Sequence, residues 1–238
     1  MRDGMARLIG QAAILAILLV PAAAPAQERP ADTPGQFDFY VLSLSWSPSF
    51  CASAAGRRDG RDRGGGYGGR SATRQCGARP YSFVVHGLWP QYDKGFPENC
   101  QDPAPRLDHR LVGAMLDLMP APRLIYNEWD KHGTCSGLDA KAYFDTVRKA
   151  RAAVTIPADY ADPQAALTVT PGAVEAAFIK ANPTLPADGM AVICSGKRVS
   201  EVRLCLAKDL KFRACPEVAK RGCRRDLLLM PPVRGNND

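Results

Sequence analysis

Phe37-Asp-Phe-Tyr-Val-Leu-Ser-Leu-Ser-Trp46 alternates apolar residues with small polar ones. Successive side chains of a strand point to opposite faces, so the spacing predicts a strand over residues 37–46 with one face buried. Outward from it, Tyr81-Ser-Phe-Val-Val-His86 predicts a second buried strand, which Gly87 ends. Residues 190–194, 201–206 and 211–215 read as further strands joined by tight turns. Helical signals lie between these groups. Leu107, Leu111, Met115 and Leu118 recur at helical spacing, with Pro120 as the stop. Residues 127–132 predict a short helix, and residues 139–151 another, with Tyr143, Phe144 and Val147 on its inner face. Thr170-Pro171 opens a third, a capping residue followed by proline at the first helical position. Strands spread along the chain with helices grouped between them, and without regular βαβ alternation, indicate an α+β fold.

The first residues read as an export signal. Arg2 and Arg7 precede an apolar run over residues 12–20, and Ala24-Pro25-Ala26 supplies small residues for cleavage. The run is short for a membrane span, and no later stretch reaches about 18 apolar residues. Residues 1–26 are therefore expected to be removed, residues 27–36 to form a loose leader, residues 37–230 one domain, and residues 231–238 a tail. The mature protein is expected to be secreted or periplasmic, monomeric and free of stable membrane association. Without residues 1–26 the formal charge falls from +7 to +6. Excess positive charge favours polyanionic partners through steering and counterion release.

Eight cysteines behind an export signal suggest four disulfides. The close C-x-x-C pairs of a zinc site are missing, and composition leaves the pairing open. Between Cys51 and Cys76, residues 56–70 hold seven glycines and five arginines. So little apolar surface does not offset ordering entropy, which predicts a mobile loop; an RNA-binding Gly/Arg tract is the alternative.

Three histidines are present: His86, His109 and His132. His86 closes an apolar strand beside Gly87, where a rigid scaffold can present an imidazole to a cleft. Asn127-Glu-Trp-Asp-Lys-His132-Gly-Thr-Cys135 places Glu128, Lys131 and His132 on one helical face, while Trp129 points to the core. His109 lies on the amphipathic helix outside both segments and reads as a surface residue. Two imidazoles and an ammonium group suit cleavage of RNA. One imidazole accepts the 2′-OH proton, the other donates to the departing 5′-oxygen, and lysine stabilises charge on the nonbridging oxygens. Imidazole titrates close enough to neutrality to serve either role. The reaction calls for no metal and no cofactor.

Phe83-Val-Val-His86-Gly-Leu-Trp-Pro90 and Glu128-Trp-Asp-Lys131-His132-Gly-Thr-Cys135 resemble the two active-site segments of the T2 ribonuclease family. The likeness extends more loosely from Phe37 to Cys223 and includes Glu201-Val-Arg-Leu-Cys205. It implies a disulfide-bonded α+β fold with a central antiparallel sheet and several helices. The implied activity is cleavage of single-stranded RNA to 2′,3′-cyclic phosphates. Within the resemblance His86 is the general acid, His132 the general base, and Glu128 and Lys131 stabilise the pentacoordinate phosphate. Trp89 matches an aromatic that stacks on a base; Asn127, Gln91 and Leu124 complete the expected substrate-binding set. The implied disulfides are Cys51–Cys76, Cys100–Cys135, and Cys194–Cys223 enclosing Cys205–Cys215. Asn127 stands where many members have a histidine, which implies retained activity with weaker phosphate binding. Gln91 stands where some have an adenine-reading aspartate, so no adenine preference carries over. Two other readings remain: a hydrolytic zinc held by His86, Glu128 and His132, which lacks H-E-x-x-H spacing and places Lys131 against the ion, and a non-catalytic RNA-binding module on the same scaffold.

Overall fold

A computed structural model describes residues 32–59, 70–77 and 79–233. The expected export segment and residues 60–69 of the Gly/Arg-rich stretch lie outside them. A sheet runs in the order β2 (Phe83–Gln91), β1 (Phe39–Trp46), β5 (Arg198–Leu206), β6 (Leu228–Met230) and β3 (Leu167–Val169), with β4 (Met190–Ser195) also paired to β5. All pairings are antiparallel except a single parallel contact between Arg198 of β5 and Leu229 of β6. The helices are α1 (Ser47–Asp59), α2 (Arg70–Gly77), α3 (His109–Ala114), α4 (Pro122–Lys131), α5 (Ala140–Ala152), α6 (Pro171–Ala181) and α7 (Pro216–Ala219).

Strand β1 organises the molecule because it is paired on both sides and its two faces differ. Tyr40, Leu42, Leu44 and Trp46 enter the main core with Phe83, Val85 and Leu88 of β2 and Val202, Leu204 and Leu206 of β5. Tyr143, Phe144 and Val147 of α5, Trp129 of α4 and Phe178 of α6 cover that face. The opposite face is thinner: Phe39 and Val41 pack with Trp89 and the Cys205–Cys215 disulfide, and Ser43 and Ser45 follow. The remaining disulfides join Cys51 to Cys76, Cys100 to Cys135 and Cys194 to Cys223.

Several boundaries differ from the sequence expectations. Strand β2 passes through Gly87 to Gln91 because a β-bulge absorbs the irregularity. The amphipathic helix around Leu107 is shorter: α3 ends at Ala114, and turns carry the chain to Pro120. The short helix at 127–132 extends back to Pro122, whose fixed φ suits the first helical position, and stops at Lys131. Residues 211–215 form only a bridge between Phe212 and Leu206. Residues 56–59 continue α1 and Arg70 begins α2, where a loop was expected; the Cys51–Cys76 disulfide ties the two helices together.

Domain limits move as well. Gly35 donates to the Cys135 carbonyl at 2.9 Å, against the expectation of a loose leader. This approach needs glycine at 137, where a Cβ, on a residue itself at φ +75°, would sit 2.7 Å from the Gly35 Cα. Beyond residue 230, Pro231 accepts the Trp46 indole N–H at 3.1 Å and Val233 joins the core, so the tail expected from 231 begins inside the fold.

Phe178 is fully buried, with Phe83 edge-on at 5.6 Å. Phe178→Ala is expected to lower unfolding stability by about 3–5 kcal/mol through lost burial and an unfilled cavity. A urea midpoint within error of the parent's would contradict this packing.

Candidate active site

The thin face of the sheet carries the site. On β2, Val85 pairs with Leu44 and Gly87 with Ser43, leaving His86 as the extra residue of the bulge. A bulge re-aims the side chain it carries. Val85 and Leu88 can thus both enter the core while His86 emerges on the other side, one third of its side chain exposed. On β5, Val202 and Leu204 are core residues, so alternation turns Glu201 and Arg203 outward. His132 is the C-cap of α4, and its N–H bonds the Glu128 carbonyl at 3.0 Å. It therefore leaves regular helix geometry, yet its ring faces the same cleft as Glu128.

His86, Trp89, Glu128, Lys131, His132 and Arg203 line one cavity of about 300 Å³, together with Gln91, Phe96 and Arg221. Trp89 stands between the histidines, its ring centroid 5.4 Å from His86 and 5.3 Å from His132. A second cavity of about 300 Å³ shares His86, Glu128 and Lys131 and extends past Asn127 and Leu124 to Ser45 and Phe50. The four proposed catalytic side chains therefore come together, and the expected substrate-binding residues divide between the two cavities. Gln91 donates to the Pro90 carbonyl at 3.3 Å. His109 is exposed and its Nδ1 lies 3.2 Å from the Tyr126 hydroxyl, away from the cleft.

Trp89, expected to stack on a base, is held firmly in the wall of the cleft. Its residue is 9% exposed, its indole N–H donates to Glu128 Oε2 at 2.6 Å, and Arg203 lies over the ring at 4.9 Å. Lys131 turns to Glu98 at 3.0 Å and keeps half its side chain in solvent, so the charge stays at the rim. Trp129 points away from the cleft, as its helical phase predicts, and bonds the Pro105 carbonyl at 2.7 Å.

Electrostatics separate the two imidazoles. For His86, desolvation lowers the pKa, but the hydrogen bond from Nδ1 to Glu201 Oε1 at 2.6 Å and the nearby Glu128 carboxylate outweigh it. The net shift is upward, favouring imidazolium. His132 is 8% exposed, lacks a partner for Nδ1 among the described residues, and lies near Lys131 and His86. Burial first, and then those positive neighbours, push its pKa down to about 3, favouring the neutral ring. Burial raises the Glu128 pKa, with His86 and the Trp89 bond opposing. Glu201 and Arg203 were not among the site residues expected from sequence. The available signal was two charged residues alternating with Val202 and Leu204 in a strand otherwise apolar at its core positions.

Gly87 is required by contact. A Cβ there would meet Glu128 Oε2 at 2.0 Å and the Trp89 Nε1 at 2.4 Å, in the middle of their hydrogen bond. Gly87→Ala is expected to break that bond and cost about 1–3 kcal/mol of stability. Chemical denaturation together with tryptophan fluorescence reads both effects; unchanged signals would show that the carboxylate moves aside freely.

The Ribonuclease T2 family model matches residues 37–215. A ribonuclease of Aeromonas hydrophila is 39% identical over 125 residues, 52% of this chain and 49% of that protein. Ribonuclease I of Escherichia coli (strain K12) is 31% identical over 170 residues, 57% of this chain and 61% of that protein. The chain spans about half the length of the Aeromonas relative it matches. Among solved structures, an RNase-related protein from Calystegia sepium superposes with TM-score 0.64 at 20% identity, covering 83% of this chain and 98% of that one. RNase NT, solved in complex with 5′-AMP, gives 0.58 at 24% identity, covering 83% and 99%. At such identities the likeness establishes the fold.

Proposed function

The chain belongs to the ribonuclease T2 family, and from that premise we propose that it is an endoribonuclease cleaving single-stranded RNA by metal-independent transfer to the 2′-hydroxyl. One observation carries the reading: two imidazoles with opposite protonation preferences line a single cavity, with an ammonium group at its rim. His132, held neutral, takes the 2′-OH proton. His86, held protonated, donates to the departing 5′-oxygen. The reverse assignment would need both rings in their disfavoured states at once. Lys131 stabilises charge building on the nonbridging oxygens, and Arg203 and Arg221 extend the positive potential along the cavity. Glu128 holds Trp89 and faces His86 Nε2 at 3.5 Å, so it steadies the wall between the two imidazoles. The product is a 2′,3′-cyclic phosphate, and hydrolysis of that ester would give a 3′-phosphate.

Four disulfides and the N-terminal sequence pattern support secretion or a periplasmic location. Among the described residues no helix is long and apolar enough to cross a membrane.

The deciding experiment digests dinucleoside phosphates in the presence of a chelator and identifies the product. A cyclic phosphate supports the proposal. Activity lost to the chelator and restored by zinc would overturn it in favour of a metal hydrolase, and salt-sensitive binding without product would favour a non-catalytic module. His86→Ala and His132→Ala are each expected to lose about 10²–10⁴-fold in kcat. Only the His86 variant should recover on uridine 3′-(p-nitrophenyl phosphate), whose leaving group needs no proton; recovery by His132→Ala instead would exchange the roles.

The pH dependence has a definite sign. Activity follows the population with His132 neutral and His86 protonated. The acidic limb of kcat/KM, set by a depressed pKa, is expected well below the 6.5 of free imidazole, and the alkaline limb, set by a raised one, above it. A narrow bell centred on pH 6.5 would contradict the assignment.

A further inference from the structure

We propose that Glu201 is a positioning residue which, clamped by Arg203, accepts the Nδ1–H of His86 and so directs the ring that Nε2–H points into the cleft. The proposal rests on the reading of His86 as general acid and adds the group that makes it one.

Glu201 divides its two oxygens. Oε1 meets His86 Nδ1 at 2.6 Å, while Oε2 accepts from Arg203 Nε at 3.0 Å and Nη2 at 2.8 Å. The carboxylate is thus held at both ends, with 13% of its side chain exposed. Strands β2 and β5 are not neighbours, because β1 runs between them. Two strand spacings are about 10 Å, a gap that an imidazole and a glutamate can close only over short side chains. Ser45 of β1 pairs with Glu201 and Ser43 with Arg203, so the serines lie where the contact crosses. A carboxylate at Nδ1 orients an imidazole and leaves the opposite nitrogen for chemistry.

The groups facing His86 come from three elements: Glu201 and Arg203 from β5, Glu128 and Lys131 from α4 with His132 at its end, and Trp89 from β2 itself. Glu128 lies on the Nε2 side at 3.5 Å, where a departing oxygen would also have to approach. Glu201 alone engages Nδ1, the side away from that approach. The plainer account is that Glu201 merely neutralises Arg203. That account needs one carboxylate oxygen, and the other is spent at 2.6 Å on His86.

The test compares Glu201→Gln with the parent across pH, with NMR titration of the His86 ring. The glutamine keeps the shape and removes the charge. The alkaline limb of kcat/KM and the His86 titration should both move to lower pH, by about one unit, giving a tenfold loss on the alkaline side and little loss at pH 5. On uridine 3′-(p-nitrophenyl phosphate) the loss should shrink. An unchanged His86 titration, or equal losses at pH 5 and pH 8, would overturn the inference. Should Glu201→Gln fail to fold, Glu201→Asp keeps the charge but withdraws it from Nδ1, so the alkaline limb should still move to lower pH, by less than in the glutamine variant, and an absent or upward shift counts against the proposal. If His86→Ala keeps parental activity, the acid reading itself falls, whatever Glu201 does.

Discussion

Ser43 and Ser45 leave the outer face of β1 low enough for side chains of its two neighbours to meet above it, while Tyr40, Leu42, Leu44 and Trp46 fill the inner face. Everything in the cleft depends on this asymmetry. A sheet buried equally on both sides would have covered the ground on which His86 touches Glu201. One exposed equally would have lacked the bulk that holds the three strands rigid. The bulge at His86 serves the same end, since without an extra residue Val85 and Leu88 could not both reach the core.

Two histidines in one cavity would ordinarily compete for a proton, each depressing the other. Here the competition is settled by unequal surroundings. His86 gains one carboxylate at Nδ1 and another near Nε2, and these outweigh its burial. His132 gains none among the described residues, and burial together with the charge of Lys131 disfavours its protonation. Glu201 in turn is carried down to about 2: burial opposes its ionisation, but His86 and Arg203 more than offset that. A carboxylate held ionised so firmly remains a fixed negative charge beside His86 throughout neutral conditions.

Much of this arrangement was legible in the sequence. The alternation in residues 37–46 marked the central strand because its period is a property of the backbone, and Thr170-Pro171 marked a helix start because capping is local. His86, Glu128, Lys131 and His132 were legible as a set because the chemistry needs those groups together. What escaped was non-local. Gly87 looked like a terminator, and only the partner strand shows that it sits inside a bulge under Glu128. Strands β3 and β6 are three residues each, too short to express a period. Glu201 is distant from His86 in the chain, and no sequence spacing links residues that meet across an intervening strand.

The unpartnered Nδ1 of His132 fits the same logic. A buried nitrogen without a hydrogen bond costs stability, and a carboxylate placed against it would remove that cost. Such a carboxylate would also favour imidazolium, as Glu201 does for His86, and a protonated ring does not accept the 2′ proton. The ring of the proposed base instead lies beside Trp89 and Phe96, with centroids 5.3 and 6.4 Å away. The buried setting of His132 and the ion network around His86 are two halves of one arrangement, in which burial favours the neutral ring on one side and carboxylates favour the charged ring on the other.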